Sequence, residues 1–537
     1  MAVNVRGDDR DQLLLLPPSL SDWLPSDHLA FFIIDVVAEL DLAPFLAAHR
    51  ADGRGGAVYD PASMLSVLLY AYCTGERSSR RIERRLSENV AFRVLAANQR
   101  PDHATLARFR RRHQDAITAL FAQVLALCVK AGLVDTAVVA IDGTKIEANA
   151  SFFANRSRED LERIAAEVLE EAEQTDAAED ELLGERRGDE LPAEWAGGTD
   201  RRARIREALR EIDRQRARDY ETRMAERAEK EAASGRPHRG PKPKADTARR
   251  ASARRANTTD PHSRVIPTGS HGVMQGYNAQ TAATADHVVV AAQVTATTND
   301  QPHFVPMTTA VTENLAVAGH DQPVGTFLAD AGYWTAANAT TDVGAPVLIA
   351  TRKQGWRHGD KPDDDKLAVL AKVNRGELSQ RQAGAILGVS YTWVRDMTKR
   401  YFGKEGQRLA RTAEPELDEW LPVIKRVDAG ELSRRAARDE LGVSDARIKT
   451  MLAHVRGEAT DPSVARDAMD KRLAEEANAA TYSKRQHTIE PVFGNLKSNL
   501  GYRRFQLRSL PAVNSEWHLI CTAHNLLKLQ RIGLAGT

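Results

Sequence analysis

Cysteine is nearly absent from this chain. Three residues among 537, Cys73, Cys128 and Cys521, lie too far apart for a disulfide framework or a thiolate zinc site. Each sits among apolar neighbours, so buried thiols in a reducing compartment are expected. His271, His487 and His524 lack zinc-ligand spacing. Long apolar runs are missing as well. No segment is apolar enough to span a bilayer, and Leu13 to Leu16 is too short for a signal-peptide core. A cytoplasmic protein with no membrane partner is therefore expected. There is no excess of charge of either sign: the net charge is +1, so contact with a polyanion must come from local basic faces.

Such faces exist. Arg77 to Arg85 and Arg108 to His113 are basic runs, while Glu159 to Glu194 is mainly acidic. The length implies two to four domains, and a 42% hydrophobic share with 28% charged residues suits a globular chain with long charged surface segments. Residues 19–131 carry apolar side chains at helical spacing, as in Leu29 to Val37 and Met64 to Tyr72, and Asp60 before Pro61 reads as an N-cap. Thr136 to Asp142 is β-branched and apolar, which predicts a buried strand ending in an acid. Asp142-Gly143 also has the composition of a turn. From Glu159 to Glu231 the chain is rich in Ala, Glu and Arg and predicts a helical hairpin or coiled coil; Ser234 to Asn257 predicts a basic linker.

Strands are predicted at Gly272 to Thr281, His287 to Val294, Thr326 to Asp330 and Pro346 to Ala350. A helix is predicted at His303 to Leu315, and Ala285-Asp286 forms the turn between the first two strands. Between Arg352 and Asp461 lies a repeat. Val373 to Ser379 with Leu387 to Ser390 recurs as Val427 to Ser433 with Leu441 to Ser444, a helix-turn-helix layout in each copy. Ser379 and Gln382 predict a capping box, and Ser390 and Ser444 predict caps for the second helices.

Near the C-terminus, Tyr482, Arg485, Glu490 and Lys497 share one stretch, followed by the basic Gly501 to Phe505. A carboxylate can hold a divalent metal, and Arg and Lys can hold phosphate oxygens. Pro491 predicts that Glu490 lies near a helix start or at a kink. The stretch resembles the motif around the third acidic residue of DDE-type insertion-sequence transposases, with a gap from Arg485 to Glu490 one residue longer than the commonest spacing. Pro101 to Arg110 resembles their N-terminal helical domain, Asp330-Ala-Gly-Tyr333 their second acidic motif, and Gly276 to Gln280 their second strand, where packing explains the residues adequately.

The resemblance implies an α/β fold: an RNase H-like mixed sheet core, split by helical insertions, with an all-α N-terminal domain. The expected divisions are 1–132 (helical, DNA-binding), 133–155 (first part of the core), 156–260 (charged helical hairpin and basic linker), 261–355 (second part of the core), 356–460 (tandem helix-turn-helix insertion) and 461–537 (the part carrying the third acid). It implies catalytic, metal-holding carboxylates at Asp142, Asp330 and Glu490. It also implies phosphate or DNA contacts at Arg485, Lys497, Tyr482, Arg108, Arg110, Arg111, Arg503 and Arg504. Three carboxylates at one place repel unless cations lie among them, so two Mg2+ ions, replaceable by Mn2+, are expected.

The function implied is binding of an element's terminal inverted repeats, followed by Mg2+-dependent strand cleavage and strand transfer. The partners are double-stranded transposon ends and target DNA, with a homodimer on paired ends, in a bacterial cytoplasm and on the nucleoid when bound. A non-catalytic helix-turn-helix DNA-binding regulator with a degenerate nuclease-like core is the alternative. An RNase H-type nuclease acting on RNA–DNA hybrids is a third.

Overall fold

The computed structural model describes residues 19–47, 58–167, 197–234, 254–268, 272–351, 364–375, 377–387, 417–443 and 462–535. It also describes residues 170, 242–243 and scattered positions between 394 and 456. Part of the expected acidic arm (171–196), most of the basic linker, His271 and the caps at Ser390 and Ser444 lie outside the described residues. The chain divides into two compact units: 1–300, 306–325 and 485–537 form the first, and 301–305 with 326–484 the second.

In the first unit, the described residues between 29 and 130 form a series of helices, from Leu29–Glu39 to Gln114–Lys130, as expected. Asp60 accepts from Ser63 N at 3.0 Å with Pro61 in the first turn, and Asp102 caps the His103–Arg112 helix by accepting from Thr105 N at 2.6 Å. The Pro61–Cys73 helix is buried along almost its whole length, because the C-terminal helix Leu510–Ala535 packs against it. All three cysteines are free and buried, as expected, and burial raises each thiol pKa.

The sheet of this unit is antiparallel. Strand β1 (Val139–Glu147) pairs with β5 (Val273–Thr284), whose other edge takes β4 (Arg264–Pro267) and β6 (Val289–Thr295). A separate pair joins β2 (Asn155–Ser157) to β3 (Arg255–Asn257). Thr144 and Lys145 continue β1 past Asp142, so Asp142 lies mid-strand opposite Thr281 and ends neither a strand nor a turn. The reason is pairing: β5 offers partners as far as Gly276, and the Asp-Gly turn propensity yields to a complete ladder.

The C-terminal helix completes the hydrogen bonding of β6. Asn525 brackets Val289, accepting from its N–H at 2.9 Å and donating to its carbonyl at 2.8 Å, and Asn514 accepts from Val294 N at 2.9 Å. Trp517, fully buried, donates to the Gln280 carbonyl at 3.2 Å. The long helix Gly197–Ser234 packs Ile205, Ala208 and Ile212 against Leu161 and Ala256, so its apolar face is covered within the chain.

In the second unit β7 (Phe327–Ala329) runs parallel to β8 (Val347–Ile349). The repeat appears as two small cores built from matching positions. Leu370, Ala383, Val394 and Met397 cluster in one, and Ile424, Ala437, Ile448 and Met451 in the other, at the same mutual spacings. Ser379 and Gln382 form the expected reciprocal box: Ser379 N donates to Gln382 Oε1 at 3.0 Å, and Gln382 N to Ser379 Oγ at 3.3 Å. Antiparallel and parallel pairings among many helices make the fold mixed α/β.

Candidate active site

Glu490 lies on the helix Glu476–Gly494, which continues into a π-helical turn over Asn495–Asn499. Of the two placements expected from Pro491, a helix start is corrected: Glu490 and Pro491 lie well inside the helix. Proline removes the N–H that would bond the carbonyl four residues back, that of His487. That carbonyl instead accepts from His287 Nε2 at 2.9 Å, so the helix continues without an orphaned acceptor at this point.

The residues on either side of Glu490 are fastened to β1. Five positions before it, Arg485 donates from Nη1 to Asp142 Oδ2 at 3.3 Å; the Arg485 side chain is 8% exposed and that of Asp142 23%. Seven positions after it, Lys497 donates to the Lys145 carbonyl at 2.9 Å. Burial, then the nearby Arg503 and Lys145, lower the Lys497 pKa, while Asp142 opposes them. Glu490 itself is exposed between these two anchors. Arg485, expected to clamp a phosphate, thus serves Asp142 as counter-ion, and its Nε is buried without a partner.

Asp330 belongs to the second unit. It follows β7, accepts from Gly332 N at 2.8 Å and so caps a single 3-10 turn over Ala331–Tyr333. Tyr482 donates to the carbonyl of Ala329, the residue before it, at 3.2 Å. Carboxylate oxygens suit a hard divalent cation. As arranged, however, no three His, Cys, Asp or Glu side chains form a metal-holding group among the described residues, and Asp142 already has a cation beside it.

The basic residues divide. Arg108 and Arg111 are exposed on the His103–Arg112 helix. Arg110 is 5% exposed and donates to Tyr72 Oη at 3.3 Å, to the Arg77 carbonyl at 3.0 Å and to Ser79 Oγ. Expected among the DNA contacts, this side chain instead spends its donors inside the helical region. Arg503 is exposed with Nε on the Lys497 carbonyl at 3.1 Å, and Arg504 pairs with Glu147 at 2.6 Å.

One residue near the site, Asp300, has no counterpart in the sequence reading. Asp300 accepts from Asn278 at 2.6 Å and Gln280 at 2.9 Å, both fully buried, and pairs with Lys145 at 3.4 Å. Gly143 is needed beneath this group, because a Cβ there would strike Gln280 Nε2 and lie 2.7 Å from Asp300 Oδ1. The run Gly276 to Gln280, read as packing, therefore also positions a carboxylate on the face of β1 opposite Asp142. Lysine three places after an aspartate on a strand was the available signal, since alternation puts the two on opposite faces.

A family model described as a transposase domain (DUF772) matches residues 18–112, and one described as a transposase DDE domain matches residues 453–530. The first covers the helices bearing Arg108 and Arg111; the second covers Arg485, Glu490 and Lys497. No curated protein and no solved structure matches the chain. The two matched domains support a DDE-type transposase.

Proposed function

We propose that this protein is the DDE transposase of an insertion sequence, which binds the element's terminal inverted repeats and cuts and joins DNA strands on an RNase H-like core. The observation that carries the reading is the double fastening of the Glu490 helix to β1, by Arg485 on Asp142 and by Lys497 on the Lys145 carbonyl. It ties the helix that carries Glu490 to the strand that carries Asp142 and leaves two cations, Arg485 and Lys497, near Asp142. Asp142, Asp330 and Glu490 are the carboxylates assigned to two Mg2+ ions, which Mn2+ can replace. When bound, such ions supply the charge that phosphodiester displacement requires.

The chain's own residues hold the substrate. Lys497, close to Asp142 and partly desolvated, offers an ammonium to a phosphate oxygen next to the scissile bond. Tyr482 and Arg504 belong to the same DNA-contacting set. Arg108 and Arg111 present guanidinium groups on an exposed helix face, where they contact the backbone of the element end. The tandem repeat adds a DNA or partner contact, and a homodimer holds the paired ends. In a cleavage assay on the element's own ends with Mg2+, Asp142→Asn, Asp330→Asn and Glu490→Gln should each remove cutting while leaving binding intact. Cutting by any of the three at the wild-type rate would exclude that residue.

The Arg485–Asp142 pair, which neutralises one of the assigned carboxylates, favours a second reading, a non-catalytic DNA-binding regulator. Wild-type protein that binds the ends but cuts them with neither Mg2+ nor Mn2+ would establish it.

A further inference from the structure

A row of cations runs beside β1 away from Asp142. Residues 497–508 pass along the strand: Glu147 N donates to the Arg503 carbonyl at 3.1 Å and Phe505 N to the Glu147 carbonyl at 2.8 Å. Lys497 lies on the Lys145 carbonyl, Arg504 on the Glu147 carboxylate, and Arg508 donates from Nε to the Asn149 carbonyl at 2.9 Å. Arg503 and Arg508 each use Nε internally, which fixes the guanidinium plane at an exposed position.

The row ends at a cavity of about 570 Å³ whose walls include Glu147, Asn149, Phe152, Gln275, Arg504 and Arg508. Beside it, Phe152 and Phe153 meet edge to face with centroids 5.8 Å apart, and they are 42% and 84% exposed. Their backbone is nevertheless tied down. Ser151 Oγ accepts from Phe153 N at 3.2 Å, Asn155 donates to the Phe152 carbonyl at 2.7 Å, Arg156 to the Phe153 carbonyl at 2.6 Å, and Asn257 to the Ser151 carbonyl at 2.8 Å. A single exposed phenylalanine needs no explanation. A fixed pair at the mouth of a polar cavity, at the end of a cation row, matches the two parts of a single-strand binding surface: positive charge for the backbone and aromatic faces for the bases.

We infer that the surface formed by this cavity and the adjoining Phe153 binds an unpaired nucleotide of DNA, its base stacked on Phe153 next to the Phe152 wall and its phosphates along Arg508 in the wall and Arg503 before it. The inference rests on the DNA-processing reading, but it concerns a place on β1 beyond the acids and requires no cleavage.

The test is binding by fluorescence anisotropy without divalent metal. The probes are a 20-base-pair duplex, the same duplex with a five-thymidine extension, and one with a five-residue abasic extension. Wild-type protein should prefer the thymidine extension to the abasic one. Phe153→Ala should weaken binding to the thymidine extension about ten-fold, the effect of losing one stacked base, and leave the other two probes unchanged. Phe153→Trp should restore it. Equal affinity of wild type for the thymidine and abasic extensions, or no effect of Phe153→Ala, would overturn the inference. Cleavage of duplex ends with an indifferent Phe153 would sink this inference alone, and base-dependent binding without any cleavage would sink only the catalytic reading.

Discussion

Arg485 and Asp142 form an ion pair at 3.3 Å between the Glu490 helix and the central strand, with the guanidinium 8% exposed and the carboxylate 23% exposed. Removing one partner strands the other. Asp142→Ala should cost about 3 kcal/mol, the low end for breaking a buried pair, because the remaining guanidinium cannot reach water. Arg485→Ala should cost less, since Asp142 retains access to solvent. A double-mutant cycle by urea denaturation should return a coupling of about 1–3 kcal/mol. Independent effects would show that the pair does not hold the helix to the strand.

The arginines of the His103–Arg112 helix should separate by assay. Arg108→Ala and Arg111→Ala should each lower the salt dependence of DNA affinity by about one unit of slope and leave the melting temperature unchanged. Arg110→Ala should lower the melting temperature instead, because Tyr72, the Arg77 carbonyl and Ser79 lose their donor. An identical slope for all three variants and wild type would remove this face from the DNA contacts.

His524 should make stability depend on pH. It is buried between the His287 carbonyl at 2.9 Å and the Asn495 side-chain amide at 3.1 Å, and burial lowers its pKa to about 4. The folded state thus binds its proton less readily than the unfolded state. The contribution is complete above the unfolded value near 6.5 and is lost as pH falls through about 4, a total of about 3 kcal/mol. Comparing urea midpoints at pH 7 and pH 4.5 for wild type and His524→Asn should show a smaller pH difference in the variant. An unchanged difference would assign the acid sensitivity elsewhere.

The two repeat cores should fail separately. Ile424→Ala removes a fully buried side chain from the second core and should cost that core about 2–5 kcal/mol. Hydrogen exchange should accelerate over 417–443 and stay unchanged in 364–387. Loss of protection in both would mean that the repeats form one cooperative body.

Local chemistry was legible in the sequence wherever the physics is local. Asp60 and Asp102 cap their helices, Ser379 and Gln382 close their box, and the repeat places its core residues in register, because each depends on neighbours within a few positions. Asp142 was misplaced to a strand end because turn propensity is local while the β5 partner comes more than 130 residues later. Arg110 looked like its exposed neighbours because nothing local marks Tyr72 and Ser79 as its partners.

By itself, the order of residues determined the buried thiols, the helical N-terminal region and the duplicated segment, since these follow from composition, spacing and capping. Tertiary structure alone decided that Arg485 answers Asp142, that Asp300 is held by Asn278 and Gln280, and that His287 supplies the hydrogen bond Pro491 removes. Each of these pairs a group with one that lies far away along the chain. Burial and hydrogen-bond satisfaction choose such partners only once the strands and helices have met.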